Sequence, residues 1–198
     1  MKPVKIICLI AICSFIIVAC NQKKQSSEKE VTTEETIKIN VVKLKPSIES
    51  SDAFKNNISV IFNGYLTIKN QLVESNLDKV REAVSKLQKD MNGNTEIVPT
   101  ENNDSYISAS LSINSTLSSI IEAKDLEQQR MYFKTLTAQV EELIKKFGIN
   151  DATVYQQYCP MAFNNTGASW LSKEEEIKNP YFGDQMLECG EVQTAYTF

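Results

Sequence analysis

A mainly α fold is predicted: an antiparallel four-helix bundle followed by a small irregular C-terminal lobe holding one or two short strands. Three observations predict it. Apolar residues recur at steps of three and four in four successive stretches between about 51 and 147. Short breaks rich in Gly, Asn, Ser and Asp separate those stretches, which suits antiparallel neighbours. Beyond residue 150 the helical period stops, and residues 151–198 carry 8 of the 16 aromatics and three of the six glycines.

The leader comes first. Lys2 and Lys5 precede an almost unbroken apolar run from Ile6 to Val18, about 13 residues, too short for a bilayer span of roughly 20. That reads as a signal peptide over residues 1–19. Its end, Ile17-Val18-Ala19-Cys20, resembles a bacterial lipobox, which implies lipidation of Cys20 and a membrane anchor of several acyl chains. Asn21 follows where inner-membrane retention favours Asp, so an outer-membrane lipoprotein facing the periplasm is the expected localisation.

Without residues 1–19 the chain has 19 basic against 25 acidic residues, a net charge of −6. No basic footprint for nucleic acid is present. Residues 20–50 are dominated by Lys, Glu, Ser, Thr and Gln and are expected to be a flexible tether, with the alternation from Ile37 to Leu44 a candidate short strand. Residues 51–198 are then the folded domain, with the lobe at 151–198.

Within it, Phe54, Ile58, Ile61, Tyr65, Ile68 and Leu72 form the first stripe, with Ser51 or Asp52 as its cap. Leu77, Val80, Val84, Leu87 and Met91 form the second, stopped by Asn92-Gly93-Asn94. A loop follows to Asp104. The third stripe, Ile107, Leu111, Leu117, Ile120 and Ile121, lies in a serine-rich segment of weaker helix propensity. Leu126, Phe133, Leu136, Val140, Leu143 and Phe147 make the fourth, with Lys145 and Lys146 suited to its C-terminal dipole and Gly148 to its cap. In the lobe, Val154–Tyr158 and Glu191–Tyr196 read as strands, and Asn164–Gly167 and Asn179–Asp184 as turns.

The lobe also holds four sulfurs in two fragments, Cys159-Pro160-Met161 and Met186-Leu187-Glu188-Cys189, in a chain with no histidine. Thiolate and thioether ligands favour soft ions such as Cu(I) or Ag(I). Pro160 favours extended backbone at Cys159, which would turn Cys159 and Met161 to one face. Met186 and Cys189 are one helical turn apart. The alternative is a Cys159–Cys189 disulfide with both methionines as core filler. Such a loop closure contributes about 3.5–4 kcal/mol in the chain-entropy model. A labile bridge opening to a metal-binding dithiol joins the two.

Other chemistry is poorly provided for. Absence of His removes the usual zinc and acid–base member. There is no CxxC redox motif, so a thiol oxidoreductase is disfavoured. Glu174-Glu175-Glu176 after Ser172 reads as a solvated helix start, and Trp170 as lobe core.

The string Tyr155-Gln156-Gln157-Tyr158-Cys159-Pro160-Met161-Ala162-Phe163-Asn164-Asn165 carries a resemblance. With it go Gly167-Ala168, Trp170-Leu171-Ser172, Asn179-Pro180-Tyr181-Phe182-Gly183-Asp184, Met186-Leu187 and Cys189-Gly190-Glu191-Val192. Together with Tyr65-Leu66, Lys69 and Leu72-Val73, over about Phe54 to Val192, it is similar to a small envelope domain of unknown function. That domain stands alone in bacterial lipoproteins or is fused to the C-terminus of periplasmic adaptors of copper/silver-type efflux pumps. The resemblance implies a soft-metal link by association, with Cys159, Met161, Met186 and Cys189 as matching positions and efflux components as partners. Lacking the adaptor's hairpin and barrel regions, the chain is expected to be a non-enzymatic metal-binding or buffering module. The competing expectation is a non-metal interaction lipoprotein pinned by the disulfide.

Overall fold

The computed structural model describes residues 39–93, 103–150 and 153–198. Four long helices, α1 (Asp52–Val73), α2 (Leu77–Gly93), α3 (Asn103–Glu122) and α4 (Leu126–Phe147), dominate it. They pack in a ring, α1 against α2 and α4, α3 against α2 and α4.

The helix ends follow local chemistry. The Ser51 hydroxyl accepts the Phe54 N–H, and the Asp125 carboxylate accepts the Gln128 N–H, each satisfying an orphan donor of a first turn. Gly148, at φ +77°, closes α4 after Lys145 and Lys146. Every residue of the α1 stripe is buried, as are Val80, Val84, Leu87 and Met91 of α2. Gly64 of α1 packs closely on α2: an added Cβ would lie 2.5 Å from a Leu87 methyl.

On α3 the buried face differs from the expected one. Ile107 and Leu111 are exposed, and Tyr106, Ile113, Leu117 and Ile120 face the core. Steps of seven, four and three from Tyr106 keep one face, and the serines between them gave no signal to choose it. Side chains tie the helices at several levels. Arg81 donates to the Ile121 and Ala123 carbonyls, Gln88 to Ser118, Gln139 to Ser112, and Arg130 to the Leu72 carbonyl.

The lobe is more regular than expected. Strands β1 (Asn40–Lys43), β2 (Thr153–Cys159), β3 (Ala168–Ser172) and β4 (Glu191–Thr197) form one four-stranded sheet in the order β1-β4-β2-β3. β1 pairs in parallel with β4, and β2 antiparallel with both its neighbours. β2 and β4 carry the β-branched and aromatic alternation seen in the sequence; Ala168-Ser169-Trp170-Leu171-Ser172 does not, and becomes a strand through its pairing with β2. β1 falls inside the stretch read as tether, so residues 40–43 belong to the fold. Residues 20–38 lie outside the described residues. No helix among the described residues is long and apolar enough to cross a membrane.

Polar contacts bind the sheet to the bundle. The Tyr65 hydroxyl accepts the Leu171 N–H of β3. Lys134 donates to the Gly167 carbonyl at 3.1 Å. The half-buried Glu141 carboxylate of α4 accepts from Gln156 of β2 and Tyr196 of β4, each at 2.8 Å.

Candidate functional site

Cys159 ends β2 and is fully buried; Cys189 lies in the turn that feeds β4 and is half-buried. Register explains why they meet. Tyr158 stands opposite Glu191 on the neighbouring strand, so the residues that leave β2 and enter β4 lie at the same end of the sheet. Both are free thiols. Burial first, and then the adjacent Cys159 side chain, push the Cys189 thiol up to about 11, against the opposing pull of the Met161 main chain. Cys189 is therefore held as a thiol at neutral pH.

Its backbone is fixed on both sides. The Cys189 N–H donates to the Met186 carbonyl at 3.2 Å, and the Cys189 carbonyl accepts from the Asn179 amide at 2.7 Å. Gly190, next in sequence, takes φ +146°, and an added Cβ would meet Trp170 Cη2 at 2.8 Å and the Tyr158 carbonyl at 2.9 Å. Trp170, the chain's single tryptophan, is thus a wall of the site as well as core.

Met161 does not join Cys159 on one face. The strand stops at Cys159, Met161 adopts helical φ −84° and ψ −14°, and its side chain is 48 % exposed. The reason is the return to β3. Phe163, Asn164 and Asn165 all take positive φ, the Gly167 N–H donates to the Ala162 carbonyl, and the chain doubles back at once. Proline's bias towards extended backbone reaches only the residue before it. Met186 follows a single 3-10 turn, Gly183–Gln185, and is half-buried. Among the described residues, no three Cys, Asp or Glu side chains are grouped to hold a metal ion. The two thiols are what the fold brings together; Cys20 lies outside the described residues.

The acidic run is not a helix start. Glu174, Glu175 and Glu176 form an exposed bend whose three successive carbonyls converge on the Gln157 amide at 2.9, 2.9 and 3.2 Å. Its carboxylates face solvent, two of them paired with Lys178. Asn179 and Gly190 border the thiols without reactive chemistry of their own. Only the turn signal of Asn179-Pro180 marked one of them in the sequence.

Residues 61–152 match the family model described as Protein of unknown function (DUF3347). The match takes in most of α1 and all of α2, α3 and α4 and stops just before β2, so the two cysteines lie beyond it. No curated protein and no solved structure matches the chain.

Proposed function

We propose that this chain is an outer-membrane lipoprotein, anchored through Cys20 and facing the periplasm, that binds or buffers a soft monovalent ion, Cu(I) or Ag(I), for heavy-metal efflux. Its architecture in this reading is an antiparallel four-helix bundle carrying the sheet. Support for that arrangement comes from the cross-helix contacts: Leu72 meets Arg130 while Tyr65 meets Thr137, and Gln129 meets Ile120 while Gln139 meets Ser112. In each pair one chain number rises as the other falls.

One observation carries the metal reading: two cysteines thirty positions apart are brought side by side, Cys159 buried and Cys189 half-buried, in a chain with no histidine. Two thiolates in line are a sufficient set for a closed-shell monovalent ion, and soft sulfur disfavours harder competitors. The ligand set in this reading is Cys159 and Cys189, with the half-exposed Met161 and the half-buried Met186 left outside it. The ion must displace the thiol protons, so affinity rises with pH and vanishes on oxidation.

Full burial of Cys159 favours a second reading from the same pair, a disulfide that pins the lobe of a non-metal interaction module. A competitive Cu(I) titration of the reduced protein against a chromophoric chelator separates the two. The metal reading expects competition by the wild type, loss of it in Cys189→Ser, and little change in Met161→Leu. A wild type unable to compete leaves the pair as a bridge. Release of Cys20→Ala from the membrane fraction, or its accumulation unprocessed, tests the anchor.

A further inference from the structure

We infer that Asn179 is the positioning residue of the thiol pair, setting the Cys189 backbone against the end of β2 so that the two sulfurs meet. The inference rests on the reading that this pair is the functional centre, whether it holds a metal ion or a disulfide.

Asn179 is fully buried in a loop, a costly place for an amide unless its groups are used. All are used. Its side-chain N–H donates to the Cys189 carbonyl at 2.7 Å and its side-chain oxygen accepts the Tyr181 N–H at 2.8 Å. Its own N–H donates to the Leu187 carbonyl at 2.8 Å, and its carbonyl accepts the Gly183 N–H at 3.1 Å. Three of these bonds shape the two loop limbs, 179–183 and 186–189. The fourth, to Cys189, is the one that reaches the site.

The limb that carries Asn179 is itself anchored by bonds that do not involve Cys189. The Pro180 carbonyl accepts from Arg130 of α4 at 2.9 Å, the Tyr181 hydroxyl donates to the Ser169 carbonyl at 2.6 Å, and Gly183 packs on Ser75 and Arg130. Asn179 is therefore a fixed post, and Cys189 hangs from it. On the far side Gly190 allows the chain to press against the Tyr158 carbonyl, one residue before Cys159. Without the Asn179 bond the Cys189 backbone would keep only its N–H bond to Met186, and its sulfur would sample positions away from Cys159. A neutral amide also adds no charge that would shift the thiols with pH.

The test uses the full chain with Cys8, Cys13 and Cys20 changed to Ser, so that Cys159 and Cys189 are its only thiols. It is equilibrated with reduced and oxidised glutathione. Two protein thiols give one S–S bond while one glutathione disulfide is reduced to two glutathione thiols, which take up the two protons. The equilibrium constant is the effective concentration of one thiol at the other. Asn179→Ser is the informative variant, because a serine oxygen can still accept the Tyr181 N–H but cannot reach the Cys189 carbonyl. Tyr181→Phe is the control, removing the bond to Ser169 from the same loop without touching Cys189. The expected result is an effective concentration at least tenfold lower in Asn179→Ser and within twofold of the parent in Tyr181→Phe. Asn179→Ser within twofold of the parent, or an equal fall in both variants, overturns the assignment. No metal enters this measurement, so a failed Cu(I) titration and a failed positioning role are separate results.

Discussion

The Tyr65 hydroxyl accepts the main-chain N–H of Leu171 at 2.9 Å while lying 2.9 Å from the Thr137 hydroxyl, so one fully buried phenol joins α1, α4 and β3. Burial raises its pKa well above the ordinary tyrosine value, despite the hydrogen bonds, and it stays protonated throughout the working range. Stacking on Phe133 at 5.0 Å holds the ring in place.

Tyr65→Phe keeps that stacking and removes the oxygen, leaving the Leu171 N–H buried without a partner. A loss of about 1–3 kcal/mol is expected in a urea unfolding titration. A change within about 0.3 kcal/mol would mean that another acceptor replaces the phenol.

Cys189 should alkylate slowly. With its thiol pushed up to about 11 from 9.0, the thiolate fraction near pH 8 is about 100-fold below that of an ordinary cysteine, since each pH unit is a factor of ten. The iodoacetamide rate at Cys189, followed by mass spectrometry, should still be climbing above pH 10, and Cys159 should react only on unfolding. A plateau near pH 9 would contradict the assigned environment.

Lys69 on α1 is 4 % exposed and has no hydrogen bond or ion pair among the described residues. Burial lowers its ammonium pKa, opposed by Glu174 and Glu176 and reinforced by Lys178. The folded chain thus binds this proton less tightly than the unfolded chain. Its contribution to stability improves as pH rises from the lowered value towards 10.5. Lys69→Met should be more stable than the parent at pH 7, by about 1 kcal/mol, with the gap closing as pH rises towards 10.5. Melting curves of both at several pH values check it; a less stable Met variant at pH 7 would show that the amine has a partner.

Gly190→Ala should disturb the thiol site directly. Its φ of +146° is strained for any side chain, and the new methyl meets a rigid indole and a backbone carbonyl. A destabilisation of about 1–3 kcal/mol is expected, together with a shift in Trp170 emission, which reports this position alone because the chain has one tryptophan. An unchanged emission spectrum would place Trp170 away from the turn.

The helices were legible because burial repeats with the helix period: all six α1 positions named from the sequence are in the core. The α3 face was misread because its apolar residues are sparse, and Ile107 and Leu111 fit the spacing as well as Tyr106 and Ile113. The sheet was half legible. β2 and β4 alternate, whereas β3 is a strand by virtue of its neighbour, and no local signal tells β1 that its partner lies at residues 194–197. At the site, the two cysteines named from the sequence lie together, whereas the extended backbone that Pro160 favours does not continue through Met161, where the chain reverses.

The pairing of Val41 with Ala195 has a kinetic consequence. Contacts between successive helices join near neighbours in sequence and can form early, whereas this parallel ladder closes over most of the chain's length and is intrinsically slow. Synthesis from the N-terminus leaves β1 unpaired until the last strand is made. The turn that carries Cys189 runs directly into that strand, so the thiols come together only at the end of folding, after the helical framework already exists.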